Sequence, residues 1–280
     1  MVWRLVGAAA ILVFVGLAVT AIRVLVATDR WGIDASKSLR WTYVICAAVG
    51  LGVVIAGRIV AGGANPDVPV QNLDARTGAV LVSALIAAIP WLVLVWLALH
   101  TCQVLRHRIG ELPPIPARPG DDSRGPIHSD SPHREVIVQM LRLWDLLVLC
   151  VAAFVIGVVA AIVTSSTLRA AFLDVHPDRA DEFPAVNVLY YGALFAVLAA
   201  VLNVPLVAAW RRCARGVVDG AYPLPWDGQP TEAWVAARSR LEALLHLDVS
   251  LLRNPLTGFA VLSPLLTSAL AAFIPQLSQS

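Results

Sequence analysis

Side chains able to do chemistry are few in this chain, and they are scattered. The four cysteines, Cys46, Cys102, Cys150 and Cys213, form no CxxC pair, so neither dithiol exchange nor zinc binding has its usual spacing. His128 and His133 stand in a stretch of Pro, Asp, Ser and Gly and read as solvated loop histidines rather than metal ligands. A serine hydrolase presents its nucleophile on a GxSxG elbow, a zinc peptidase pairs histidines as HExxH, and a P-loop cradles phosphate before a Gly-Lys step; the sequence contains none of them. No two carboxylates stand mid-run in the apolar segments, where an intramembrane aspartyl site would need them. No catalytic residue, cofactor site or metal site is therefore assigned, and the chain is expected not to be an enzyme.

The polar residues that do stand out suit a membrane protein. Asn203 and Pro205 lie in the last apolar run before a basic cluster. Proline frees a carbonyl one turn earlier and is expected to kink the helix, and Asn203 can bond that break or a neighbouring helix. Both are candidates for a pore lining or gate, set against the plainer reading of a satisfied interhelical hydrogen bond. Arg142 and Asp145, three apart, share one helix face and are expected to pair at the cytoplasmic interface. Arg211, Arg212 and Arg215 form the strongest basic cluster, suited to anionic lipid or simply to a cytoplasmic boundary.

The elements that must position these residues are long apolar runs at 5–27, 41–60, 79–99, 146–168 and 186–209, with a sixth candidate at 256–274 that carries Ser263, Pro264, Thr267 and Ser268. Crossing a bilayer takes about 20 apolar residues of helix. The expected fold is all-α, a polytopic transmembrane helix bundle of five or six spans with a C-terminal amphipathic helix over 231–253. Thr231 is placed to cap that helix, and Leu241, Leu244, Leu245, Leu251 and Leu252 gather toward one side of it. Composition agrees: of 280 residues, 58% are hydrophobic and only 14% charged, against about 25% charged in soluble domains. Mean hydropathy is +0.74. A net charge of +2 gives nucleic-acid binding no support. A single lysine, Lys37, among 21 basic residues reflects genomic composition bias.

Arginine placement sets the orientation, because cytoplasmic loops carry the excess of Lys and Arg. Arg211, Arg212 and Arg215 put the end of the fifth run inside. The acidic loop with Asp174, Asp178, Asp181 and Glu182 then lies outside, and the loop with Arg106, Arg108, Arg118, Arg124 and Arg134 inside. Arg30, Lys37 and Arg40 also fall inside, and the N-terminus outside, leaving Arg4 on the unfavoured side. The first run is followed by Arg30 rather than by a small-residue cleavage site, so it is expected to be retained. Trp31, Trp41, Trp144 and Trp210 fall near the cytoplasmic boundaries as an interfacial belt, whereas Trp91, beside Pro90 in mid-run, is expected to pack on another helix.

The chain divides into an N-terminal three-span half (1–111), a Pro-rich cytoplasmic linker (112–133), a two-span half (134–220) and a tail of amphipathic helix and membrane-inserting segment (221–280). Small residues recur at four-residue spacing in three rows: Ala48, Gly52, Ala56; Ala153, Gly157, Ala161, Ser165; and Gly192, Ala196, Ala200. Such rows let helix backbones approach closely in a bilayer. Intrachain packing is the plainer use of Gly52, Gly157 and Gly192, and self-association the sharper one. The leading functional expectation is a homo-oligomeric pore, channel or membrane-perturbing effector in a bacterial inner membrane. Its partners would be the lipid bilayer and further copies of itself. The alternative is a non-catalytic accessory or scaffold subunit of a larger membrane complex, with a membrane-protein partner.

Overall fold

The computed structural model describes residues 2–31, 33, 36–60, 73–112, 132–182, 184–225, 228–247, 263 and 265–270. Every regular element among them is helical: α1 (Val2–Val26), α2 (Lys37–Val60), α3 (Leu73–Glu111), α4 (Pro132–Val175), α5 (Ala185–Ala221) and α6 (Glu232–Leu244), with short 3-10 turns at Thr28–Trp31 and Pro177–Glu182. In hydrocarbon a spanning segment must satisfy its own backbone, and a helix does so within one segment. Serine and threonine hydroxyls in the spans are absorbed the same way. Thr20 donates to the Gly16 carbonyl, Thr164 to Ala160 and Ser165 to Ala161, at 2.8, 2.7 and 3.0 Å.

Four helical stretches among the described residues are long and apolar enough to cross a membrane: Val2–Val26, Gly78–Glu111, His133–Val175 and Val188–Ala221. They cover the first, third, fourth and fifth apolar runs; the second run is α2. Of the sixth, 256–274, only residue 263 and the helical turn 265–270 are described, with Ser268 buried and Leu265, Leu266 and Leu270 exposed.

The helices α3, α4 and α5 have 39, 44 and 37 residues. At 1.5 Å per residue α4 is about 66 Å long, roughly twice the 30 Å hydrocarbon thickness. The apolar runs therefore mark only the parts of these helices that lipid covers. Both α3 and α5 continue through their internal prolines, Pro90 and Pro205.

Helix α3 is the hub. It packs against α1, α2, α4 and α5; α1 and α5 also pack on α4, while α2 packs on α3 alone among the described elements. Trp91 reaches across from α3 and donates its indole N–H to the Leu17 carbonyl of α1 at 3.1 Å. The largest buried cluster draws on Ala21 and Val24 of α1, Val93 to Leu105 of α3, Val136 to Cys150 of α4, Leu206 to Ala221 of α5, Leu241 of α6 and Leu245 at the end of α6. One core thus joins both halves of the chain and lies toward one end of the bundle.

Candidate functional site

The surface of each long helix changes character along its length. On α5 the exposed side chains are Tyr190, Leu194, Val197 and Val201, then Arg212, Arg215 and Asp219. On α3 they are Leu81, Val82 and Ile86, then Gln103, Arg106, His107 and Arg108. Running the opposite way, α4 exposes Arg134, Glu135, Arg142 and Asp145 before Ala152, Ile156 and Val163. A protein surface whose exposed large side chains are apolar over one zone and charged over the next matches lipid giving way to water. The charged zones of α3, α4 and α5 gather into one helical head at the arginine-rich end. It reaches about 20 Å along α4 from Pro132 to Asp145.

An aromatic stack fixes the interior of this head. Trp210 of α5 is fully buried and donates Nε1–H to the Met140 carbonyl of α4 at 3.1 Å. Trp144 lies against it at 4.6 Å between ring centroids, and His246 stacks on Trp144 at 5.1 Å. An indole N–H buried with a partner contributes area and a hydrogen bond together. The interfacial belt expected for Trp210 is thus corrected: the ring is buried and faces the partner helix α4, not the lipid headgroups. His133 is likewise corrected. It is the second residue of α4 and is buried, not a solvated loop residue.

Helix α6 docks on this head. Thr231 is its N-cap, with Oγ1 accepting from the Trp234 backbone N–H at 3.3 Å. Leu241 and Leu245 enter the common core, whereas Leu244, counted on the apolar side from sequence, is exposed. The helix ends at Leu244, earlier than the expected 253. Leu247 N–H bonds the Glu242 carbonyl at 2.9 Å, His246 N–H bonds Ala243 at 3.0 Å, and His246 takes a left-handed φ of 49°. That is the Schellman stop. It folds Leu247 back onto the core, where its carbonyl accepts from Arg211 Nη2 at 3.2 Å.

Arg238 clamps α6 to α5. Its Nη2 meets Asp219 at 2.7 Å, its Nε meets Glu242 at 2.9 Å, and its Nη1 donates to the Tyr222 carbonyl at 3.1 Å. The guanidinium also sits 5.4 Å from the Trp234 ring centroid. Burial pulls the Arg238 pKa down, but the two carboxylates outweigh it and hold the group above the usual arginine value.

Beside the clamp, the C-terminal parts of α3 and α5 border a groove of about 480 Å³ lined by Arg106, Ile109, Gly110, Arg212, Cys213, Arg215, Gly216 and Asp219. Gly216 sets the spacing of its walls, since a Cβ there would stand 3.4 Å from Ile109 Cγ2. Below it, the Cys213 thiol donates to the Cys102 carbonyl at 3.0 Å. All four cysteines are free thiols. Among the described residues no three His, Cys, Asp or Glu side chains gather as a metal site.

The sequence candidates distribute unevenly over this geometry. Arg212 and Arg215 line the groove, while Arg211 is buried behind it. Arg142 and Asp145 are exposed on α4. Asn203 is buried inside the bundle, and Pro205, two residues on, is exposed. Gly192 is buried, and Gly157 faces α1, where a Cβ would meet Leu17 and Phe14 at 3.6 and 3.8 Å. Gly52 is exposed, with nothing within 4 Å of where its Cβ would be. Sequence reasoning missed Arg106 as a groove residue, and Trp144, His246, Arg238 and Asp219 as parts of the head. The one available signal was the i, i+4 spacing of Arg238 and Glu242 after the Thr231 cap.

Fold and surface together define a helical integral membrane protein with four apolar helices of spanning length among the described residues. No protein-family model, curated protein or solved structure matches the chain.

Proposed function

We propose that the protein acts as a non-catalytic homo-oligomer in the bilayer, with copies meeting through α2 and enclosing a conducting path between them. The observation carrying this is the outer face of α2. Trp41, Ile45, Ala48, Val49 and Gly52 are all exposed. The α4 and α5 rows of small residues are used inside the protomer, whereas Ala48 and Gly52 of the α2 row are exposed among the described residues. Ala48 and Gly52 offer a second helix the close approach that drives association in lipid. A path between protomers, not through one, is supported by the core itself: Leu94, Leu97, Leu146, Leu147 and Leu206 are buried at 1% exposure or less and pack together in one cluster. Asn203 and Pro205 then act within and beside the protomer as packing and shape elements of α5. Gly52→Leu is expected to shift the reconstituted protein to monomer and to abolish discrete conductance steps in planar bilayers. Oligomers and steps that persist in Gly52→Leu would exclude α2 as the contact.

The orientation follows the arginines, with the head in the cytoplasm of a bacterial cell and the N-terminus outside. Cys213 is too buried to report on this. Cysteines introduced at the exposed His107 and Asp178, at opposite ends of the bundle, report directly. A membrane-impermeant maleimide on intact cells is expected to label Asp178→Cys and to spare His107→Cys; the reverse pattern inverts the topology.

A second reading, an accessory or scaffold subunit of a larger complex, is favoured by the rigid head, whose docked α6 presents Glu232, Val235 and Arg240 to solvent. Co-purification of one stoichiometric membrane partner, with no self-assembly, would select it.

A further inference from the structure

The groove between α3 and α5 carries an unbalanced charge. Arg106, Arg212 and Arg215 line it together with one carboxylate, Asp219. Asp219 is already engaged by Arg238 at 2.7 Å, on the α6 side. Arg212 spends its Nε on the Ala208 carbonyl at 3.3 Å, leaving its two terminal amines. None of the three groove arginines lies within ion-pair distance of a carboxylate among the described residues. Three guanidiniums from two helices thus face one open cavity, and among the described residues none of them is ion-paired.

Depth selects the counter-ion. Pro205 is the last apolar side chain exposed on α5 before the arginines, and Arg212 follows about 10 Å along the helix. The headgroup layer adds roughly 5–8 Å to each side of the hydrocarbon core. Arginine stems lying along the helix can return their heads to that level. The planar guanidinium fork matches phosphate oxygens in paired hydrogen bonds, and Gly110 and Gly216 border the groove without side chains.

We infer that the Arg106, Arg212 and Arg215 groove is a phosphate-binding site, filled by the phosphodiester of an anionic lipid headgroup or by a free phosphate. The site belongs to one protomer and does not depend on copies associating. Native mass spectrometry of the full-length protein in neutral detergent, titrated separately with phosphatidylglycerol and phosphatidylcholine, tests it. Near the surface each basic residue contributes about fivefold in affinity for anionic lipid, so wild type is expected to prefer phosphatidylglycerol by at least about tenfold. The R106Q/R212Q/R215Q variant should bind both lipids alike, and R240Q, an exposed arginine outside the groove, should keep the preference. If the triple variant does not fold, R215Q alone is expected to lower the preference about fivefold. Inorganic phosphate separates the two sources. Displacement of phosphatidylglycerol and a raised Tm with phosphate, in wild type but not in the triple variant, would identify a free phosphate as ligand. A lipid preference indifferent to phosphate identifies the headgroup. Equal binding of both lipids with no effect of phosphate, or a preference intact in the folded triple variant, overturns the site.

Discussion

Trp210→Ala is expected to be the most damaging single substitution in the protein, costing about 3–5 kcal/mol. Trp210 is 0% exposed, its N–H satisfies Met140, and its ring supports Trp144 and, through it, His246. Its removal empties the centre of the head, leaves the Met140 carbonyl without its indole donor, and frees the turn that ends α6. The charged surface of the head is expected to face headgroups and water rather than lipid tails, so its core is expected to gain from the hydrophobic effect. Deeper in the bundle, lipid tails solvate apolar side chains as well as protein does, and packing alone holds the helices together. A sharp asymmetry follows. Phe14→Ala, in the smaller cluster between α1 and α3, should lower the unfolding temperature in nanodiscs less than Trp210→Ala does. Equal losses would mean that the head is not a separately stabilised, water-facing core.

Arg238→Met is expected to undock α6 while leaving the spans folded. The Asp219 partner is 64% exposed and Glu242 36%, so those two ion pairs are screened and together contribute no more than about 1 kcal/mol. The charged bond to the Tyr222 carbonyl adds about 1.5–3 kcal/mol. A loss of about 2–3 kcal/mol corresponds to roughly 30- to 150-fold faster local opening, read as amide exchange across Glu232–Leu244. Exchange in α1 should not change, and Arg240→Met, on the exposed side of α6, should leave both rates alone. Unchanged exchange in α6 would show that Leu241 and Leu245 hold the helix without the clamp.

What could be read from sequence and what could not divide along physical lines. The apolar runs at 5–27, 79–99, 146–168 and 186–209 marked four spans because lipid imposes an unbroken apolar requirement that a hydropathy count detects. The same count stops where lipid stops. The water-facing ends of α3, α4 and α5 alternate charged and buried residues at helical period, so their continuation beyond the runs carries no hydropathy signal. Trp210 shows the ambiguity: a tryptophan at a basic boundary looks alike whether it faces headgroups or the next helix. The end of α6 was hidden for a different reason. A helix stop is usually announced by Gly or Asn at the left-handed position, and here that position is His246. The groove lay beyond reach because Arg106 and Arg212 are neighbours only once α3 and α5 are packed. The Arg215 to Asp219 spacing also suggests an i, i+4 pair, but the structure gives Asp219 to Arg238. Of the three small-residue rows, spacing alone did not separate those used inside the protomer, at Gly157 and Gly192, from the one whose described residues, Ala48 and Gly52, are exposed.

The exposed Ala48 and Gly52 of α2 bear the weight of the functional account, and the mass of the wild-type protein in lipid tests it most directly. A protomer weighs 29.9 kDa. Native mass spectrometry from nanodiscs is expected to give a single integer multiple of that mass, with no other protein in the particle. A monomer alone, at concentrations where the protein is folded, would contradict self-assembly and end the case for a path between copies.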